Sequence, residues 1–201
     1  QEVIVNKMNI IEFKSFNDND LVFCMLDTTS SIHDLWAKEI TKNQADYTLQ
    51  NLYNKGYTVL QGTNEDQLLR AAQTSYKYAC VISTGTELLN GERCLDGLIT
   101  ACTDDFVVKG HILDRGDAYY ELHAQCYLVN LTNYKKIGSP AIGEMILGEQ
   151  HTQIRPFRTT TNIHDDYTPV YIKQGEFKQE YNHKCHGWNI IQQTLEHGYG
   201  I

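Results

Sequence analysis

The stretch from Tyr78 to Gly91 constrains the fold more than any other part of this chain. Ala79, Cys80, Val81 and Ile82 form a short apolar run without polar alternation, the pattern of a strand covered on both faces. The run stops abruptly at Ser83, Thr84, Gly85 and Thr86, small residues suited to a loop that a ligand can approach closely. A helix start follows. In open α/β sheets ligands bind at the carboxyl ends of strands, so this strand end is the first place to look for a site.

The same signal occurs upstream. Leu21, Val22, Phe23, Cys24, Met25 and Leu26 are continuously apolar and run into Asp27, Thr28 and Thr29, which reads as the first central strand and its loop. Residues 33–54 read as a helix in which Leu35, Trp36, Ile40, Tyr47, Leu52 and Tyr53 partly share a face, with Lys55 and Gly56 as the stop. A β-rich run, Tyr57 to Leu60, closes at Gly62. Asn64 is placed to cap a helix through Leu68, Leu69, Ala72 and Tyr76. A further helix is expected over residues 91–102, and a strand begins at Phe106, Val107 and Val108. Strand, helix, strand, helix, strand, helix, strand in that order predicts a single α/β domain with a mainly parallel mixed sheet flanked by helices.

The second half is less regular. Residues 125–130 are strand-like, residues 133–137 suit a helical turn, and residues 150–186 are polar with little period. Helical pattern returns at Trp188, Ile190, Ile191 and Leu195. The division expected is an N-terminal extension over residues 1–20, one half over 21–114 and a second over 115–201.

Composition narrows the classes. A length of 201 residues suits one well-buried domain. The net charge of −8, with Lys and Arg dispersed, argues against a non-specific nucleic-acid binder. No apolar run reaches the length of a membrane span, and six cysteines without a CxxC pair read as reduced, small hydrophobes, so the expected location is cytoplasmic. Walker and Rossmann phosphate loops and a nucleophile elbow are absent from the sequence.

Four segments carry a family resemblance: residues 21–29; residues 64–72 with 78–82 and the following Thr86-Glu87-Leu88-Leu89-Asn90-Gly91; residues 125–138; and Ile163-His164-Asp165-Asp166-Tyr167-Thr168 with the later Gly187-Trp188-Asn189-Ile190-Ile191. Together they resemble the GT-A fold of nucleotide-sugar glycosyltransferases, in particular the family-2-like group. The resemblance implies a donor nucleotide-diphosphate sugar held by Asp27, Thr28 and Thr29 and by Ser83, Thr84, Gly85 and Thr86. The acceptor would be a glycan, a small molecule or a modified nucleic acid. It also implies a general base at Asp165 or Asp166, which would take the proton of the acceptor hydroxyl as it attacks the anomeric carbon. Adjacent carboxylates repel, which raises one pKa and suits that role, although Asp at such a place also serves as a turn or helix cap.

The pattern departs from the family at its metal motif. Aligned through Thr86-Glu87-Leu88, the two aspartates of Asp-x-Asp fall on Ser83 and Gly85. Mg²⁺ and Mn²⁺ prefer charged oxygen ligands beside a diphosphate. Three outcomes are open: an ion held by Glu87, Asp104 or Asp105; metal-free catalysis with cationic or backbone donors; or a domain that binds without turnover. His111 and Arg115 are candidates for neutralising phosphate and Tyr119 or Tyr120 for stacking on a base or sugar, with His123 and Trp188 as further substrate-binding candidates. A His/Asp metalloenzyme is the remaining class. His111 and Asp114 are three apart and His183 and His186 likewise, so the spacing of a facial triad is missing.

Overall fold

The computed structural model describes residues 3–5, 9–17, 19–88, 92–114, 120–154, 158–159, 170–171 and 178–201. Seven strands form the main sheet: β1 (Val3–Val5), β2 (Ile11–Phe13), β3 (Leu21–Leu26), β4 (Val59–Gly62), β5 (Tyr78–Ser83), β6 (Val108–Asp114) and β7 (Tyr120–Asn130). Their spatial order is β1-β2-β4-β3-β5-β7-β6. Among the described residues five α-helices accompany them: α1 (Leu35–Asn54), α2 (Glu65–Ala72), α3 (Glu92–Ala101), α4 (Leu131–Lys136) and α5 (Trp188–Glu196). Four short strands, β8 (His151–Ile154), β9 (Arg158–Thr159), β10 (Val170–Tyr171) and β11 (Lys178–Tyr181), make two antiparallel pairs, β8 with β11 and β9 with β10.

The α/β class and the open sheet flanked by helices follow from the sequence pattern, but the sheet is not mainly parallel. Only β3–β4 and β3–β5 are parallel, whereas β1–β2, β2–β4, β5–β7 and β6–β7 are antiparallel. Parallel neighbours need a crossover, and helices supply one only between β3, β4 and β5. Among the described residues of 108–130 none is helical, and β6 and β7 pair as neighbours with β7 inserted beside β5. The boundary expected at residues 114/115 therefore falls inside one sheet. The N-terminal residues are likewise not an appendage, since β1 and β2 complete its other edge.

The central strands are buried on both faces because both carry helices. On one face Val22, Cys24, Leu60, Val81, Tyr127 and Val129 meet Leu68, Leu69 and Ala72 of α2 and Ile190, Ile191 and Leu195 of α5. On the other, Phe23, Met25, Val59, Cys80, Ile82 and Leu128 meet Ala45, Leu49 and Leu52 of α1 and Leu95 of α3. Each fully buried side chain of this size contributes about 1.5–3 kcal/mol.

Local signals set the helix ends. The Asp34 side chain accepts from Ala37 N–H at the start of α1, and Asn64 accepts from Gln67 N–H at the start of α2. The face expected for α1 needs correction. Leu35, Trp36, Ile40 and Tyr47 are exposed, and the helix docks through Ala45, Thr48, Leu49 and Leu52 in its second half. Among the described residues, no helix is long and apolar enough to cross a membrane.

Candidate functional site at the carboxyl ends of the central strands

The three strand ends singled out by the sequence lie side by side. Asp27 N–H donates to the Gly62 carbonyl at 2.7 Å, and Thr84 N–H donates to the Leu26 carbonyl at 3.0 Å. Thr28 N–H donates to the Thr84 hydroxyl at 3.2 Å, and the two hydroxyls lie 3.0 Å apart. The loops after β3 and β5 are thus stitched together. Asp27 shapes its own loop: Oδ1 accepts from Thr29 N–H at 2.9 Å and from the Thr29 hydroxyl at 2.6 Å. This side-chain turn leaves a compact 3₁₀ turn, residues 29–31, ahead of α1.

The helices leave the sheet on opposite faces after β3 and β4, α1 joining one cluster and α2 the other. Adjacent strands whose connections diverge in this way open a crevice at their carboxyl ends. Asp27 leads away from β3 toward one face, and residues 63–65 lead away from β4 toward the other.

The β5 loop is anchored on two sides. The Ser83 hydroxyl donates to the Ala124 carbonyl at 2.8 Å, and the Thr86 hydroxyl donates to the Gln125 carbonyl at 3.2 Å. Those carbonyls come from an irregularity between β6 and β7: Gly110 pairs with Tyr127 but Ile112 pairs with Leu122, so residues 123–126 of β7 stand opposite the single β6 residue His111, while Cys126 still pairs with Ile82 of β5. On the opposite side the Thr48 hydroxyl of α1 donates to the Thr86 carbonyl at 3.0 Å. Gly85 has φ +88°, the left-handed region that favours glycine, which accounts for the residue standing where the resembled family has an aspartate.

Of the candidate residues, Asp27, Thr28, Thr29, Ser83, Thr84, Gly85 and Thr86 are brought together. His123 joins them through the bulge, next to Ala124, and its Nδ1 accepts from Gln125 N–H at 3.4 Å. His111 faces it across the hairpin with ring centroids 6.2 Å apart. Trp188 stands at the start of α5, its indole N–H donating to the Glu144 carbonyl at 3.1 Å and its ring under the Lys184 ammonium at 4.3 Å. Arg115, Tyr119, Asp165 and Asp166 lie outside the described residues.

The carboxylates considered for a metal divide. Glu87 is exposed beyond the β5 loop and accepts from the Gln44 amide at 3.2 Å. Asp104 and Asp105 are misplaced for the site. Asp104 pairs with Lys77 at 2.9 Å and accepts from the Tyr78 hydroxyl at 3.0 Å, and Tyr78 opens β5 whereas Ser83 ends it. Five residues of strand put these aspartates about 17 Å from the loop. The hydrogen bond from Lys77, then that from Tyr78, holds the Asp104 carboxyl below its usual value. The Thr103 hydroxyl does most to lower that of Asp105. Around Ser83 the donor set is a hydroxyl committed to a carbonyl, a glycine and one carboxylate, which does not fit Mg²⁺ or Mn²⁺ held as in the resembled family. Among the described residues no three His, Cys, Asp or Glu side chains are grouped to hold a metal ion.

Sequence reading missed a cluster on the α2 face. His186 Nε2 lies 2.9 Å from Glu65 Oε2 and 3.1 Å from Oε1, its Nδ1 lies 2.6 Å from the Leu122 carbonyl, and the Tyr127 hydroxyl donates to Glu65. Burial lowers the pKa of His186, but the hydrogen bond and charge of Glu65 outweigh it and leave the value above 6.5. Glu65 reads from sequence only as the first residue of a helix and Tyr127 only as a strand residue, so nothing short of the tertiary contact joins them. A second pair lies under the bulge. Cys80 and Cys126 have sulfurs 3.9 Å apart, with the Cys126 thiol lowered by the bond from Cys80 and that of Cys80 raised by the same bond and by burial.

No protein-family model matches this chain, and neither a curated protein nor a solved structure matches it significantly.

Proposed function

We propose that this chain is a GT-A-like glycosyltransferase domain that transfers a sugar from a nucleotide-diphosphate donor to an acceptor hydroxyl. One observation carries the reading. The two strands that resemble the family's nucleotide strand and its metal-motif strand are parallel neighbours, and their loops are hydrogen-bonded through Thr28 and Thr84. The donor then lies along the ends of β3, β4 and β5, oriented by the Asp27 turn. With no fitting metal cage at Ser83 and Gly85, leaving-group charge falls to His111, His123 and Arg115. Asp165 or Asp166 accepts the acceptor's proton.

A second reading, a GT-A-like binding module without turnover, is favoured by a specific feature. The Ser83 hydroxyl is committed to Ala124, and the left-handed backbone at Gly85 suits glycine better than a ligating aspartate.

A thermal-shift panel of nucleotide-diphosphate sugars, with and without Mn²⁺, tests both. The transferase reading expects stabilisation by at least one donor, reduced in Thr84→Val, and slow donor hydrolysis or transfer. Stabilisation without turnover on any acceptor class supports the binding module. If no nucleotide sugar stabilises the protein, both readings fail.

A further inference from the structure

Glu65, Tyr127 and His186 come from α2, β7 and the turn before α5, and their packing is unusually complete. Both ring nitrogens of His186 face groups that only accept, a carbonyl and a carboxylate, so the ring carries two protons and a full charge. The side chains of His186 and Glu65 are 20% and 14% exposed. Charge pairs this far from water add little net stability over apolar residues of the same volume, although breaking one is costly. What such a pair does set is geometry.

Three further bonds show what it holds. The His186 carbonyl accepts from Leu122 N–H at 2.8 Å, and Gly187 N–H donates to the Gly143 carbonyl at 3.0 Å. Asp66, next to Glu65, accepts from Ile142 N–H at 2.9 Å. Two successive carboxylates in the first turn of α2 therefore grip both segments of the second half, residues 142–143 and 185–188. That turn begins three residues after Gly62, whose carbonyl holds Asp27 N–H.

We infer that Glu65, Tyr127 and His186 are positioning residues, a charged clamp that fixes residues 185–188, Trp188 included, against the first turn of α2 beyond the carboxyl end of β4. Its bearing on a nucleotide-sugar ligand rests on the glycosyltransferase reading; the clamp itself does not. The groups facing the ring are Glu65 with Asp66 beside it from α2, and Tyr127 and Glu121 from β7. On its own segment, Lys184 is turned onto the Trp188 ring and pairs with Glu149. The sign follows from the raised His186 value: the clamp is closed below pH 6.5 and loosens as pH rises through the folded pKa. A neutral ring then turns a lone pair toward an acceptor.

Trp188 is a built-in reporter once the exposed Trp36 is replaced by Phe, because the chain has two tryptophans. In Trp36→Phe, emission is expected to shift red with rising pH at the midpoint that NMR of the His186 ring gives, above 6.5. Glu65→Gln keeps hydrogen-bonding capacity but removes the charge, and should lower that midpoint by about one pH unit or more. His186→Gln should abolish the emission transition. The affinity of the most stabilising nucleotide sugar should decline with the same midpoint and lose that dependence in His186→Gln.

Emission that stays constant while His186 titrates, or a midpoint unmoved in Glu65→Gln, overturns the clamp. An emission transition with the ligand's pH profile unchanged in His186→Gln overturns its coupling to the site. If no nucleotide sugar binds at any pH, the transferase reading falls, and the emission arm still decides the clamp alone.

Discussion

Replacing Gly187 with alanine should be among the most damaging single-methyl changes in this protein, and Gly138→Ala supplies its control. Both glycines have left-handed backbones, φ +82° and +91°. Alanine in that region costs about 1–2 kcal/mol at either position. The surroundings differ. A Cβ at Gly138 meets nothing within 4 Å, whereas at Gly187 it would stand 2.4 Å from Leu122 Cβ and 3.2 Å from Leu122 Cδ2. Leu122 cannot retreat easily: it is fully buried, and its N–H is held by the carbonyl of His186. Overpacking of this kind costs about 1–3 kcal/mol. Gly138→Ala should therefore lose about 1–2 kcal/mol and Gly187→Ala about 2–5 kcal/mol, the sum of the two effects. Urea unfolding followed by circular dichroism, with slopes compared to exclude denatured-state effects, measures both. A Leu122→Ala background removes Cδ2 but keeps the Cβ at 2.4 Å, so most of the Gly187→Ala loss should persist in a double-mutant cycle. Losses that agree within about 0.5 kcal/mol for the two glycines would refute the packing argument.

Other consequences are open to direct measurement. Asn133→Ala leaves the carbonyls of Asp104 and Phe106 without the amide that binds both at 2.8 Å, and should lose about 2–3 kcal/mol in the same urea assay. Cys24, fully buried and with its thiol pushed up to about 12, should react with a thiol reagent near neutral pH only on unfolding, whereas the partly exposed Cys94 should react in the folded protein. Because the folded pKa of His186 lies above its unfolded value, the urea midpoint should carry that group's full contribution below pH 6.5 and decline as pH rises through the folded value. In His186→Gln that slope should flatten.

Much of the fold was legible in the residues. Unbroken apolar runs at Leu21–Leu26 and Tyr78–Ser83 specified strands buried on both faces, Asn64 marked the start of α2, and Lys55 with Gly56 marked the end of α1. The small-residue stretches after those strands were legible as loops because loop composition is local. Less was legible where an element's role depended on its neighbours. The exposed Leu35 and Trp36 look like core residues in sequence, and β7 reads as a strand only over residues 125–130 although it begins at Tyr120.

Local pattern thus located β3, β4, β5, α1, α2 and α3, because capping and hydrophobic period act over a few residues. Which strands pair, and in which direction, was decided only by the folded chain, since any apolar run satisfies many partners and the connections choose among them. That choice set the loops of Asp27 and Ser83 side by side and sent Asp104 to the far end of the same strand. It also joined Glu65 to Tyr127 and His186 across 62 and 121 residues of sequence. Contacts so distant leave no period or spacing behind, and only three-dimensional packing makes them neighbours.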